Sequence, residues 1–129
     1  MQRVLFVCVH NAGRSVMAEA LFNALADGRG EAQSAGTMPG GAPHPLVVEA
    51  MREAGIDVSG HRGHLLTDEM VRSADRVITM GCAVDDQACP AILYADVEDW
   101  GLPDPKDQPI ERVREIRDEI RRRVEALLQ

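Results

Sequence analysis

Short stretches rich in apolar and β-branched residues predict four β-strands in this chain. A continuous apolar run of five or six residues is typical of a strand that is buried on both faces of a sheet. The clearest run, VLFVC, lies near the amino terminus and ends in Cys8. The predicted strands span residues 4–8, 31–36, 76–80 and 92–97.

Helical periodicity separates and follows the predicted strands. Apolar residues return every three or four positions after Ser15, over residues 46–54, and most clearly in the last segment. Cap and turn residues mark where helices end or begin, namely DGRG at 27–30, Gly55 and Thr67. The stripe of the last predicted helix consists of Ile110, Val113, Ile116, Ile120, Val124 and Leu127.

The alternation of strands and helices predicts a three-layer α/β fold. Strand–helix–strand units build mostly parallel sheets with helices on both faces. Because the sequence has no internal repeat, low-complexity stretch or linker, we expect residues 1–129 to form one domain. Ligands bind such sheets at the carboxyl ends of the strands. Cys8, Cys82 and the rigid Pro-Asp-Pro turn at Asp104 all follow predicted strands.

Composition and charge narrow the classes of partner. The net charge of −7 disfavours nucleic acid and anionic membrane surfaces as partners. No apolar run approaches the length of a signal-peptide core or a membrane span. Three cysteines, an odd number, argue against a disulfide framework. We therefore expect a cytoplasmic protein, and a monomer, because no feature of the sequence requires an obligate interface.

The segment that links the first strand to the first helix has the properties of an oxyanion site. Its backbone amides can converge on one point, and the amino-terminal end of the helix adds positive potential. The planar guanidinium of Arg14 suits two oxygens of a tetrahedral oxyanion. The same positive potential favours the thiolate form of Cys8 over the thiol. The predicted substrate-binding residues are Val9, His10, Asn11, Ala12, Gly13, Arg14 and Ser15.

Three residues of this loop have more specific predicted roles. Ser15 is placed to donate a hydrogen bond to the Cys8 sulfur, while Asn11 and Gly13 suit the positive φ angles of a tight loop. The alternative is a buried structural cysteine beside a solvated arginine. A cysteine, an arginine and a serine at this spacing, entering a helix, favour an oxyanion site that carries its own nucleophile.

The chain resembles a superfamily that shares the C-x5-R-[ST] loop. C-V-H-N-A-G-R-S at 8–15 is similar to the loop of low-molecular-weight protein tyrosine phosphatases and thioredoxin-coupled arsenate reductases. Further matches follow in the expected order: SAGT at 34–37, GID at 55–57, ADRVITM at 74–80 and the pair Asp104-Pro105. The resemblance implies a flavodoxin-like four-stranded sheet, in agreement with the pattern of strands and helices.

Two further cysteines, Cys82 and Cys89, distinguish between these relatives. The predicted function is a disulfide relay, in which Cys82 attacks Cys8 and Cys89 then attacks Cys82. A helix over this segment would put the two Cα atoms about 10 Å apart, too far for a disulfide, so we expect a loop or unwinding on oxidation. Incidental thiols and a metal site completed by His61 or His64 remain alternatives.

The C-x6-C-P spacing resembles the arsenate reductases rather than the phosphatases. The phosphatases that this chain resembles have two features that it lacks. One is a second cysteine in the loop, where this chain has Gly13, and the other is a pair of tyrosines after Asp104-Pro105. Lys106 and Asp107 follow that pair here. These differences favour arsenate reductase, with low-molecular-weight tyrosine phosphatase as the first rival and a non-catalytic thiol redox or metal-binding module as the second.

The remaining polar residues receive smaller roles. Asp104, in its rigid turn, is the predicted general acid for the departing oxygen, with an ordinary surface aspartate as the alternative. His10 is expected to support the loop, while His44, His61 and His64 are expected to be solvated or to cap helices. Trp100 is expected to pack in the core. A cation site of some relatives is matched by Asn11, Glu19 and Ser34, but His64 replaces the expected aspartate, so no metal is predicted.

The predicted reaction is the reduction of arsenate to arsenite. Phosphate or sulfate is expected to occupy the same site, because both resemble arsenate in shape and charge. The resemblance implies thioredoxin, or a related thiol reductant such as a mycoredoxin, as the partner that reduces the oxidised enzyme. No bound redox cofactor is implied.

Overall fold

The structure, a computed structural model, describes residues 2–80 and 97–129. Cys82 and Cys89, and with them the predicted relay, lie outside the described residues. The helices and strands are, in chain order, β1 Gln2–Cys8, α1 Arg14–Ala26, β2 Gly30–Gly36, α2 Pro45–Glu53, α3 Asp68–Ser73, β3 Arg76–Thr79, β4 Val97–Asp99 and α4 Ile110–Leu127.

The strands form one parallel sheet in the order β2-β1-β3-β4. β1 pairs with β2 along its whole length, from Gln2 opposite Gly30 to Cys8 opposite Gly36, and with β3 on its other side. The direction in which the chain adds strands reverses between β1 and β3, and ligands bind α/β sheets at such switch points. The predicted parallel sheet is confirmed, and Cys8 ends the strand at that point.

Alternate side chains of β1 enter two different cores. Val4, Phe6 and Cys8 belong to the larger core, which α1, α2 and α4 cover. Leu5 and Val7 face the opposite side, where residues of α3 and its flanks cover them. Because both faces of β1 are buried, its apolar run is continuous rather than alternating. The predicted three layers are confirmed.

The last helix shows the predicted stripe. Val113, Ile116, Ile120 and Val124 are buried, and Ile110 and Leu127 at its two ends are partly buried against the same core. Trp100, which follows β4, packs on the ring of Phe6 with the centroids 5.6 Å apart. The expected packing role of Trp100 is therefore confirmed.

Local capping explains where the predicted helices end or begin. At the end of α2, the Ile56 amide donates to the Met51 carbonyl and the Gly55 amide to the Arg52 carbonyl, with φ of Gly55 at 83°. This is the Schellman pattern, in which glycine supplies the left-handed residue. Before α3, the Thr67 side chain accepts a hydrogen bond from the Met70 amide, as an N-cap does.

One strand extends beyond its predicted end. Residues 92–96 lie outside the described part, and β4 runs from Val97 to Asp99, so the prediction ended this strand two residues too early. The sequence VED lacks a continuous apolar run because its exposed positions, Glu98 and Asp99, lie in an edge strand. Among the described residues, no helix is long and apolar enough to cross a membrane.

Candidate active site

The predicted nucleophile lies in a pocket with most of its predicted partners. Cys8 is 4% exposed at the carboxyl end of β1, and its thiol is free. The pocket combines part of the 8–15 loop with the Asp104 turn and the residue before α2. Its lining residues are Cys8, His10, Ala12, Gly13, Arg14, His44 and Asp104.

A chain of hydrogen bonds links Asn11 and Ser15 to the Cys8 sulfur. Ser15 Oγ is 2.8 Å from Cys8 Sγ, and Asn11 Nδ2 donates to the same Oγ at 2.8 Å. Since an amide nitrogen only donates, Asn11 occupies Ser15 Oγ as an acceptor. The Ser15 hydroxyl keeps its proton and can donate it to the sulfur. This contact is the one predicted for Ser15.

Asn11 is itself held in place by two histidines. Its Oδ1 accepts hydrogen bonds from the His64 amide at 2.9 Å and from His61 Nε2 at 3.2 Å. The backbone donor fixes which end of the Asn11 side chain is the oxygen. Asn11 adopts the predicted positive φ, at 50°. The expectation that His61 is only a solvated or capping group is wrong, because its side chain bonds to Asn11. His64 is exposed, as expected, and contacts Asn11 through its backbone amide.

A partly buried pair of carboxyl and imidazole side chains lies behind this chain. His61 Nδ1 is 3.6 Å from Glu19 Oε2. Burial raises the pKa of the Glu19 carboxyl and lowers the pKa of the His61 imidazole, since desolvation disfavours both charged forms. Both shifts favour the neutral forms of the two side chains. Among residues 2–80 and 97–129, no group of three or more His, Cys, Asp and Glu side chains is arranged to hold a metal ion.

Two glycines permit close approaches around the loop. Gly13 has φ of −139°, so the prediction of a positive φ there is wrong. A Cβ on Gly13 would instead lie 2.9 Å from Pro105 Cγ and 3.3 Å from His44 Cδ2. A Cβ on Gly36, at the end of β2, would lie 2.5 Å from the Val9 carbonyl oxygen. Each glycine is therefore explained by the close approach of a neighbouring segment rather than by a turn.

Arg14 connects the loop to the turn that contains Asp104. Its Nη1 donates to the carbonyl oxygen of Leu102 at 2.7 Å. The guanidinium has five N–H donors, so this bond still leaves donors for an oxyanion. Asp104 Oδ1 accepts a hydrogen bond from the Lys106 amide at 3.0 Å, which orients the carboxylate beside the pocket. Sequence reasoning missed the Leu102 contact, because a backbone acceptor 88 residues away leaves no sequence signal.

The remaining loop residues support its shape. The Val9 carbonyl accepts from the Met38 amide, and the His10 carbonyl accepts from the Gly40 amide, both at 2.8 Å. His10 Nδ1 lies 3.1 Å from the Met38 carbonyl oxygen and so donates to it. The Ala12 carbonyl accepts from the His44 amide at 3.0 Å. The segment after β2 therefore braces the loop through its backbone, and His10 has the expected supporting role.

We expect Ser15→Ala to make Cys8 less reactive at neutral pH. The substitution removes the hydrogen bond to the sulfur and leaves the buried Asn11 amide without its acceptor, at a cost of about 1–3 kcal/mol. The rate of Cys8 alkylation at pH 7, measured on the Cys8 peptide by mass spectrometry, should fall about tenfold. Ser73→Ala, which removes an exposed hydroxyl of α3, is the control. Equal rates in both variants would contradict this role of Ser15.

Comparison with known proteins assigns the chain to a family. The model of the low molecular weight phosphotyrosine protein phosphatase family matches residues 3–129, which include every described residue of the pocket. The chain belongs to this family. Within it, the chain is 34% identical over 125 residues to arsenate reductase 2 of Staphylococcus epidermidis, covering 95% of this chain and 93% of that protein.

Solved structures of the family have the same fold. An arsenate reductase in the phosphate-binding state superposes with a TM-score of 0.86 at 35% identity, covering 99% of this chain and 97% of the other. A thioredoxin-dependent arsenate reductase of Corynebacterium glutamicum superposes with a TM-score of 0.78 at 40% identity. The match covers 98% of this family member and 60% of that longer chain.

Proposed function

We propose that this member of the phosphatase family is an arsenate reductase in which Cys8 is the nucleophile. The observation that supports this most strongly is the position of the Cys8 sulfur, hydrogen-bonded to Ser15 in a pocket shared with Arg14 and Asp104. The choice of arsenate is supported by the named relatives and by the Cys82/Cys89 pair of the sequence. Phosphate and sulfate are expected to compete for the same site.

The first step attaches arsenic to the enzyme. Arsenate binds in the 8–15 loop, held by the backbone amides and by Arg14, and the Cys8 thiolate attacks arsenic. A sulfur–arsenic bond forms and an arsenic–oxygen bond breaks. The departing oxygen takes a proton from Asp104 and leaves as water. Ser15 stabilises the thiolate before the attack, through the hydrogen bond to its sulfur.

The second step reduces arsenic by two electrons. The Cys82 thiolate attacks the Cys8 sulfur, a disulfide forms, and the electron pair of the sulfur–arsenic bond stays on arsenic, which leaves as arsenite. Cys89 then attacks Cys82, forming the Cys82–Cys89 disulfide and restoring the Cys8 thiolate. An external dithiol protein reduces this disulfide, and the thioredoxin dependence of the C. glutamicum relative supports thioredoxin in this role.

The proposed chemistry uses side chains alone and requires reduced thiols. No bound redox cofactor takes part, because the electrons pass between cysteines. A reducing compartment suits this cycle, so we assign it to the cytoplasm. We expect a monomer, because no step of the proposed reaction requires a residue from a second chain.

Disulfide mapping tests the proposed relay. Fully reduced protein is mixed with arsenate, quenched by acid and analysed by non-reducing mass spectrometry. The expected product is a Cys82–Cys89 disulfide, with one arsenite released per chain and no consumption of a further thiol. Zinc bound at one ion per chain, with no oxidation of thiols by arsenate, would instead support the metal-binding module.

Phosphatase activity is the second candidate, because phosphate and arsenate are alike in shape and charge. The variant Cys82→Ser separates the two functions. We expect the variant to stop arsenate reduction after at most one turnover per chain, since the relay needs Cys82 to release arsenite. Turnover of an aryl phosphate should be unaffected if the chain also hydrolyses phosphate esters. Steady-state arsenate reduction by Cys82→Ser would refute the relay.

A further inference from the structure

The geometry points to His44 as an additional substrate-binding residue, one whose imidazole contacts the bound oxyanion. This inference rests on the proposed function for the choice of arsenate, but it applies to any small tetrahedral oxyanion. His44 lies far from the 8–15 loop in the sequence, yet its side chain lines the same pocket as Cys8, Arg14 and Asp104.

The backbone of His44 is fixed against the loop. Its amide donates to the Ala12 carbonyl at 3.0 Å. Prolines on both sides restrict the segment, and His44 has φ of −60° and ψ of 139°, the extended conformation that a following proline requires. The absence of a Cβ on Gly13 lets the ring approach, since that Cβ would be 3.3 Å from His44 Cδ2. The backbone of His44 therefore places its imidazole beside the pocket before any ligand arrives.

The side chain of His44 has no local structural function that would explain it. His44 is the N-cap of α2, where Ser, Thr, Asp or Asn is preferred, yet its side chain makes no capping hydrogen bond. Within the described part of the chain, its ring nitrogens have no hydrogen-bond partner. His10, by contrast, donates from Nδ1 to the Met38 carbonyl. The imidazole of His44 thus presents uncommitted donors to the pocket.

The negative charge of the protein makes an additional donor at the pocket useful for binding an anion. The chain has a net charge of −7, which opposes an incoming anion. Arg14 donates a hydrogen bond from one terminal nitrogen to the Leu102 carbonyl, so this donor is not available to the ligand. A histidine can donate from either ring nitrogen and adds positive charge when it is protonated. His44 would then donate a hydrogen bond to one oxygen of the ligand from the side of the pocket near the start of α2.

The test compares phosphate binding and folding in three variants. His44→Ser supplies a preferred N-cap but cannot reach the ligand, so we expect about tenfold weaker binding of inorganic phosphate by calorimetry, with a melting temperature equal to or above that of the parent. His44→Gln keeps an N–H donor of similar reach and should recover part of the affinity. Arg52→Ser removes a positive charge from an exposed position of α2 and should change the affinity less than twofold.

Arsenate kinetics supply a second measurement. With His44→Ser, KM for arsenate should rise about tenfold while kcat changes less than threefold, the pattern of a residue that binds the substrate. Unchanged phosphate affinity in His44→Ser would overturn the inference, and so would an equal loss in Arg52→Ser. Loss of folding in both His44 variants would also overturn it, because it would assign the side chain a structural role. Phosphate binding does not depend on arsenate reduction. If the proposed function is wrong, the parent protein reduces no arsenate, yet His44→Ser still weakens phosphate binding.

Discussion

Replacement of Cys8 by serine is expected to abolish arsenate reduction, by about 10³-fold or more, without loss of the fold. A serine hydroxyl is a far weaker nucleophile than a thiolate and cannot form the disulfide that carries electrons from arsenic. Serine is slightly smaller than cysteine and is tolerated at the polar end of β1, where Ser15 Oγ is 2.8 Å from the Cys8 sulfur. Arsenite production in the presence of thioredoxin and its reductase measures the loss.

Phosphate binding serves as the control for Cys8→Ser. The loop amides and Arg14 bind the oxyanion in the proposal, so the variant should bind inorganic phosphate within about threefold of the parent protein. A variant that binds phosphate and reduces no arsenate identifies Cys8 as the chemical group. Residual turnover above a few per cent would mean that another thiol starts the reaction, and the proposed order of steps would be wrong.

Replacement of Gly36 by alanine is expected to destabilise both the protein and the site. The new Cβ would lie 2.5 Å from the Val9 carbonyl oxygen and 3.0 Å from the Asn11 amide nitrogen, so the loop and the end of β2 must separate. Gly36 also joins the sheet edge to the following segment, since its amide donates to the His64 carbonyl and its carbonyl accepts from the Leu66 amide. We expect a loss of about 3 kcal/mol in the free energy of unfolding.

Urea unfolding and phosphate binding together measure the effect of Gly36→Ala. Gly41→Ala is a matched control, because a Cβ on Gly41 would contact no neighbouring segment within 4 Å. The control should change stability by less than about 0.5 kcal/mol and leave phosphate binding intact. Equal stability of the two variants would show that the loop shifts at no cost, contrary to the packing argument.

The sequence predicted what depends on neighbouring residues. The end of β1 at Cys8, the start of α1 at Arg14 and the contact of Ser15 with the sulfur all lie within eight consecutive residues, so their geometry follows from local chain direction. The apolar stripe of α4 was equally accessible, because a 3.6-residue period is visible without knowledge of the partners. The positive φ of Asn11 followed from the small set of residues that tolerate it.

The errors concern contacts that bring distant segments together. His61 and His64 bond to Asn11 across about fifty residues, and these histidines leave no periodic signal because they lie in irregular structure. Gly13 was predicted to have a positive φ, a local explanation, while the structure explains it by the approach of Pro105. The end of β4 was missed as well, because the exposed positions of an edge strand need not be apolar.

The hydrogen bond between Arg14 and the Leu102 carbonyl has a consequence for biosynthesis. A chain emerging from the ribosome carries its thiol nucleophile early, but the backbone that orients the arginine, and the acid at position 104, are translated much later. A nascent or prematurely terminated chain that stops before residue 102 thus holds a cysteine without its complete pocket. Catalysis therefore requires a chain that extends at least through the Asp104 turn.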